Sequence, residues 1–486
     1  MKKYTSQKKI MKIKHIIMMT IGSSIGTGLF ISLGNAIVKY GTILTIISYI
    51  LISIMIYFLM NIIGELTTLI PKYESFTNYG SKYVEEGFGF SLGWNYWYNW
   101  VLTITINLVS TQIIMGYWYP QIPSYIWGII FLTIIFSINF LSIKNFGEIE
   151  YWLSLIKIVA IFTFLIIGSI TIINIIQKKE ILIDWITIKN NFYKNNIYTF
   201  INITTIIGFS FQGIELIAIT AKEIKNPQKN IKKIINKIFW IIQILYISVI
   251  ITIIIVTNHE KNFLIEKNNI ENIIISPFTL IFKNSKLINT ASIINFIILI
   301  AILSSSNAGL YASSRMLYTL AMDGKAPKIF SNLSKNGVPK YALYLTTIIS
   351  GCYLIYYKTN IQKIYIELIK ISSITGFITW LGIIIIHYRF KIGYKKLKNK
   401  NKKKTYKCKY FPIGSIFSFI LCMIITLGQT YITLSSNNLQ LKEIITTYMG
   451  IPLFLTNWLC YKIIFKSKII KYNDMNFNYK KKINKK

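Results

Sequence analysis

Charge in this chain is gathered into short clusters, and between them lie about a dozen long apolar stretches almost free of it. No water-soluble core needs so many such runs, whereas a helix crosses a bilayer on ~20 apolar residues. Length and composition decide less. A chain of 486 residues that is 53% hydrophobic would also suit several soluble domains. The arrangement therefore predicts an all-α polytopic membrane protein. Twelve spans fall near 16–38, 43–70, 88–118, 124–143, 151–176, 197–221, 234–257, 287–315, 341–357, 364–388, 411–434 and 444–466. Several are longer than a bilayer requires, so tilt or extension beyond the membrane is expected. Eight of the nine prolines sit in or beside connections, and only Pro452 lies inside a span, near its start. Interruption of a helix has to come from glycine instead.

The formal charge is +37, and all but Arg315 and Arg389 of the 54 basic residues are lysine. Ile, Asn, Lys and Tyr are heavily used throughout, which fits codon drift in an A+T-rich genome. Nucleic-acid binding is not expected, because it clusters Arg and Lys on a soluble module. The distribution sets an orientation. The N-terminus, the even-to-odd connections and the C-terminus carry about 40 Lys plus Arg, the opposite side about 12. Both termini are thus expected in the cytoplasm, as a basic segment 1–15 and a basic tail 467–486 around one transmembrane domain, 16–466. Residues 389–409 are the densest basic stretch. Met1–Lys14 opens like a signal peptide, but no small-residue cleavage site follows, and glycines interrupt the apolar run; a retained first span is expected. The loops at 177–196 and 258–286 have room for short surface helices only. Cys352, Cys408, Cys422 and Cys460 are scattered, and His15, His259 and His387 are far apart near span ends or in loops. No disulfide, metal site or cofactor is expected.

Two spans contain glycine-interrupted polar stretches where a lipid-facing helix would be smooth. The first is Ile21-Gly22-Ser23-Ser24-Ile25-Gly26-Thr27-Gly28-Leu29-Phe30 in span 1, and the second is Ile207-Gly208-Phe209-Ser210-Phe211-Gln212-Gly213-Ile214-Glu215 in span 6. They occupy the same place in each half of a five-plus-five repeat. Unpaired backbone groups are not tolerated in hydrocarbon, so an unwound helix at mid-depth survives only beside protein or a wet cavity. There, half-helix N-termini aim N–H groups at a carboxylate, and freed carbonyls take an ammonium. A zwitterionic amino acid backbone matches both. Close helix packing would explain one such cluster; the matched pair points to a binding site.

Three ionisable positions stand out. Glu215 lies inside span 6, where a carboxylate is costly unless paired or protonated. It would bind a cationic side chain, take up a proton or close a structural hydrogen bond. Lys157 in span 5 either snorkels to the cytoplasmic interface or stays buried as a fixed or titrating charge beside span 1. Glu65, at the end of span 2 next to Gly64, reads as an interfacial cap or gate. In span 3, Tyr96 and Trp100 are four apart and share a helical face. They would either stack on a substrate chain or belong to an aromatic belt.

These residues carry a resemblance. Ile21–Phe30, Gly64–Phe76, Tyr83–Trp100, Gly208–Glu223 with Asn226-Pro227, Ser276-Pro277-Phe278-Thr279 and Asn307–Pro327 resemble the bacterial and fungal amino acid permeases of the amino acid–polyamine–organocation superfamily. Within that family YVEEGFGFSLGWNYWYNW, FGEIEYWLSLIK and GFSFQGIEL are most similar to the lysine-specific permeases. The resemblance implies ten core helices in two inverted repeats, about 16–176 and 197–388, with spans 1 and 6 broken, plus two extra helices at about 411–466. It implies secondary transport of an amino acid, L-lysine above all, with protons across the bacterial inner membrane. By the family motif the substrate carboxylate meets backbone N–H groups around Thr27 and Gly28, beside Ser24 and Gly26. Its ammonium meets carbonyls near Gly22, Phe209 and Ser210, close to Gly213. Lys157 matches the span 5 lysine that stands in proton-coupled relatives where sodium-coupled ones bind an ion, and Glu215 would face the substrate side chain or share the proton. Some positions depart from the pattern: Ser23, Tyr73-Glu74, Ile214, Lys222 and Ser305-Ser306 stand where the family has other, mostly smaller, residues.

Two other functions compete with a lysine carrier. One is a permease for other cationic or aromatic amino acids; the other is a membrane sensor that binds lysine without moving it. An enzyme is not expected, because no nucleophile–base set, phosphate loop or metal cluster is visible.

Overall fold

A computed structural model describes residues 13–33, 36–37, 42–69, 75–177, 197–220, 224, 227–259, 290–352, 354, 361–396, 408–434, 445, 447–475 and 477. Among them there is no strand, and fourteen α-helices follow one another. They are α1 (Ile13–Ser24), α2 (Thr42–Leu69), α3 (Phe76–Tyr83), α4 (Glu86–Met115), α5 (Ser124–Leu141), α6 (Ile143–Gln177), α7 (Ile197–Ser210) and α8 (Leu216–Thr220). Then come α9 (Pro227–His259), α10 (Thr290–Met322), α11 (Lys340–Gly351), α12 (Ile361–Lys396), α13 (Ile413–Leu434) and α14 (Gly450–Phe465). Seven helical segments are long and apolar enough to cross a membrane, and Thr199–Ser210, Ile413–Gln429 and Gly450–Phe465 are shorter apolar helices. The chain is a polytopic helical membrane protein.

The predicted spans recur with shifted ends. Pro452 falls in the first turn of α14, where its missing N–H is harmless. Four helices run well past their predicted limits, α9 starting at Pro227 and α10 ending at Met322 among them. α6 begins at Ile143, because only Ser142, in an extended conformation, separates it from α5. α12 continues through the basic residues to Lys396, so His387 and Lys391 are helical. α3 is a further short helix that the hydropathy pattern did not announce; Ser75 Oγ caps it by accepting the Thr77 N–H. The loops at 177–196 and 258–286, Ser276–Thr279, Tyr73-Glu74 and Lys222-Glu223 lie largely or wholly outside the described residues, as do the first twelve and last nine residues of the chain.

α4 is the central column, packed on α10, α12 and α14, while α1 leans on α6 and α10, and α2 on α9 and α7. α6 shows how one helix serves lipid and core at once. Val159, Phe162, Ile166, Ile170 and Ile173 form an exposed apolar stripe, while Phe146, Glu150, Ser154, Lys157, Ile161 and Phe164 are buried at the same three- and four-residue spacing. A polar face turned inward and an apolar face turned outward is the arrangement a bilayer selects. Beyond the end of α10, Lys325 donates to Ser81 Oγ of α3. Burial there pushes its ammonium below the usual lysine range, against the opposing pull of Asp323 and Glu86.

Candidate functional site

Span 1 is interrupted where its glycines fall. α1 stops at Ser24, Ile25 and Gly26 bend, and the chain resumes at Thr27 into a π-helical turn, Gly28–Ser32. The carbonyls around the break are taken by side chains from other helices. Lys157 Nζ donates to Gly22 O and, at 2.9 Å, to Ile25 O. Ser305 Oγ donates to Ser23 O at 3.3 Å. Tyr246 Oη lies 2.9 Å from Ser24 O and 2.8 Å from Ser210 O, so one hydroxyl spans the last turns of α1 and α7.

Span 6 is interrupted in the same way. α7 ends at Ser210, residues 211–215 form turns, and α8 begins at Leu216. The Phe211 and Gln212 N–H groups fall back on Gly208 O and Phe209 O, both at 3.1 Å, tightening the last turn. Gly213 takes φ +102°, a region that favours glycine, and its carbonyl accepts Ser23 Oγ at 3.1 Å. A Cβ there would stand 2.9 Å from the Ser23 carbonyl carbon. Gly213→Ala is therefore expected to lower stability by about 1–3 kcal/mol, read as a drop in the thermal unfolding midpoint of detergent-purified protein. The two breaks also touch at Gly28, where a Cβ would lie 2.5 Å from Ser210 Cα.

Glu215 closes the second break. Its carboxylate accepts the Gly213 N–H at 3.3 and 3.2 Å and Trp380 Nε1 at 3.2 Å, and it is buried. Lys157 is fully buried rather than at an interface, which decides between its two sequence readings. Tyr96 and Trp100 are buried as well, edge to face at 6.1 Å between ring centroids, so they form no belt. Tyr96 lies within electrostatic reach of Glu215. Among the described residues, neither Tyr96 Oη nor Trp100 Nε1 has a polar partner outside this pair. Gly22, Ser24, Gly26, Thr27, Gly28, Phe209, Ser210, Gly213 and Glu215 thus sit at the breaks, and Lys157 reaches the first; Tyr96 packs on Phe76 and Trp100, and Trp100 lies against Gly309.

Several participants had no sequence forecast. Glu150 is wholly buried on the face of α6 that carries Lys157, and Lys157 is the cation whose field reaches it. Its oxygens accept Ser304 Oγ at 2.6 Å and Asn307 Nδ2 at 2.7 Å, tying α6 to α10. Gly22 backs onto this group: a Cβ would meet Glu150 Oε1 at 3.1 Å. On the other side of α4, Asn99 Oδ1 accepts Ser372 Oγ at 3.1 Å and Thr375 Oγ1 at 2.8 Å, and Gln212 Nε2 donates to Ser372 O at 3.0 Å. These bonds join the second break to α4 and α12. Ser23 and Ser305, two of the departures from the family pattern, link the two breaks to each other and to α10.

Glu65 lies apart from this cluster. It is buried, pairs with Lys391 Nζ at 2.6 Å and His387 Nε2 at 2.9 Å, and accepts the Cys408 N–H at 3.1 Å. These contacts fasten the end of α2 to α12 and to the segment before α13. Among the described residues no group of His, Cys, Asp and Glu has the makings of a metal site.

A family model described as "Amino acid permease" matches residues 15–474. The lysine-specific permease LysP of Escherichia coli (strain K12) is 45% identical over 470 residues, covering 96% of each chain. LysP of Lactococcus lactis subsp. cremoris (strain MG1363) is 39% identical over 482 residues, 98% of this chain and 93% of that one. The histidine permease HisP of the same organism is 39% identical over 477 residues, 98% of both.

Proposed function

Because this chain belongs to the amino acid permease family, we propose that it imports L-lysine together with protons across the bacterial inner membrane by alternating access. Transport rather than catalysis is the business of this family. The observation that carries the reading is the pair of facing helix breaks, joined by Tyr246 and Ser23 and closed by a buried carboxylate. The N–H groups from Gly26 to Gly28 suit the substrate carboxylate. The carbonyls of Phe209 and Ser210 suit its α-ammonium, since a carbonyl that already accepts one bond retains a second lone pair. Glu215 supplies a negative charge for the distal ammonium, and Tyr96 and Trp100 flank the aliphatic chain. The names of two relatives favour lysine.

Lys157 is the coupling group in this account. Protonated, it holds Gly22 O and Ile25 O and so fastens α1 to α6. On giving up its proton to the cytoplasmic side it keeps two N–H groups but loses the charge that strengthens both bonds, which loosens the bent segment as the bundle turns inward. The membrane potential adds about 2.3 kcal/mol per charge per 100 mV to the entry of a cation. Both termini lie on the lysine-rich, cytoplasmic side.

Purified protein in liposomes tests the proposal. Labelled lysine is expected to accumulate against its gradient when the lumen is alkaline, and more so when it is also negative. Saturable binding without accumulation would make the protein a sensor. The HisP relative motivates a histidine arm in the competition panel; displacement of lysine by histidine at lower concentration than by lysine itself would reassign the substrate.

A further inference from the structure

One buried polar side chain at the first break is unaccounted for by this reading. Asn107 lies on α4, eleven residues after Tyr96 and seven after Trp100, spacings that return a helix to the same face. It is 1% exposed. Its Oδ1 accepts Thr27 Oγ1 at 3.1 Å, and Thr27 is the first residue to resume helical geometry after the bend. Its Nδ2 has no hydrogen-bond partner among the described residues. With Thr27 Oγ1 donating to the amide oxygen, the bare end is the amide N–H. A buried donor is left unpaired only at a cost, and such vacancies ask for an explanation. Tyr96, Trp100 and Asn107 thus place three incompletely satisfied polar groups in a row on one face of α4, with the last beside the glycines of span 1.

We propose that Asn107 is a substrate ligand whose amide N–H donates to a carboxylate oxygen of the amino acid. The assignment rests on the permease reading above and deepens it. Thr27 fixes the amide oxygen, so the group presented to the site is a donor, and a donor serves a carboxylate and not an ammonium. Being uncharged, the amide recognises the carboxylate without adding a second buried cation near Lys157. It also gives the site a means of rejecting a diamine that has lysine's chain but lacks its carboxylate, since that ligand leaves the N–H bare.

Equilibrium binding of labelled lysine to the purified full-length protein tests this, with cadaverine, which is lysine without its carboxylate, as competitor. Asn107→Ala is expected to weaken lysine about tenfold and leave the inhibition constant of cadaverine unchanged. Asn107→Asp is expected to weaken lysine further, because it sets a carboxylate against a carboxylate. Three results would overturn the proposal: an unchanged lysine affinity in Asn107→Ala, tighter binding in Asn107→Asp, or an equal loss for lysine and cadaverine, which is the mark of a structural role. Thermal unfolding checks each variant. If Asn107→Asp does not fold, Asn107→Leu removes the donor at similar volume and is held to the same comparison as Asn107→Ala. A wild-type protein that fails to bind lysine would instead sink the permease-for-lysine reading, and the variants are then compared on whichever amino acid binds, against its decarboxylated amine.

Discussion

Replacing Lys157 with methionine is expected to abolish proton-driven accumulation of lysine, by more than about 100-fold, while leaving lysine–lysine exchange within about tenfold of wild type. The two readouts separate because Lys157 holds the carbonyls of Gly22 and Ile25, while the N–H groups from Gly26 to Gly28, the carbonyls of Phe209 and Ser210 and the Glu215 carboxylate remain for the substrate. Methionine keeps the length of the side chain in a site with no room to spare, since Lys157 is fully buried. It removes both donors from Gly22 O and Ile25 O. It also strips Glu150 of the nearby positive charge, leaving a carboxylate held only by the neutral donors Ser304, Asn307 and Ser154. The carrier would then no longer have a proton to lose in step with the movement of α1. Uptake under an imposed pH gradient, followed beside exchange at equal pH, measures both effects. A Lys157→Met protein that concentrates lysine to the wild-type ratio would remove Lys157 from the coupling step.

Glu215→Gln is expected to weaken lysine binding by roughly 10–100-fold, as loss of a charged hydrogen-bonding partner costs about 1.5–3 kcal/mol. The amide keeps the shape and one acceptor oxygen, so the Gly213 N–H and Trp380 Nε1 still find a partner and the break stays closed. The charge and one of the two acceptor oxygens are lost. A neutral amino acid of similar length, used as competitor, is expected to lose little or nothing, so the ratio of the two affinities reports selection for a cation. If lysine binds the variant as tightly as wild type, Glu215 serves the fold of span 6 and nothing else.

The glycines announced the breaks well because the physics there is local. Gly22, Gly26, Gly28 and Gly213 fall where hydrocarbon would otherwise demand an unbroken helix, and a close approach or a positive φ needs a residue without a side chain. Lys157 was ambiguous for a different reason. Snorkelling and burial depend on which way the helix faces, and only packing against α1 decides that. Glu150 escaped notice because Lys144, Glu148 and Glu150 look like a connection. In the folded chain α6 starts at Ile143 and turns Glu150 inward. A helical-face count would have found it, since Phe146, Glu150, Ser154 and Lys157 share one side. Asn95, Asn99, Thr103 and Asn107 recur every four residues in α4 and were legible by the same count. Tyr246 and Trp380 carried no signal at all. Each is one residue in an apolar helix, and its partner lies far away in sequence. The pairing of Glu65 with His387 and Lys391 likewise requires α2 and α12 to be side by side.

The decisive experiment is a structure of the purified protein in a lipid nanodisc with lysine bound. The ligand is expected between Gly26–Gly28 and Phe209–Gly213, with its carboxylate toward the former and its distal ammonium toward Glu215. Spans 1 and 6 running as continuous helices through those residues, or lysine bound elsewhere, would contradict it.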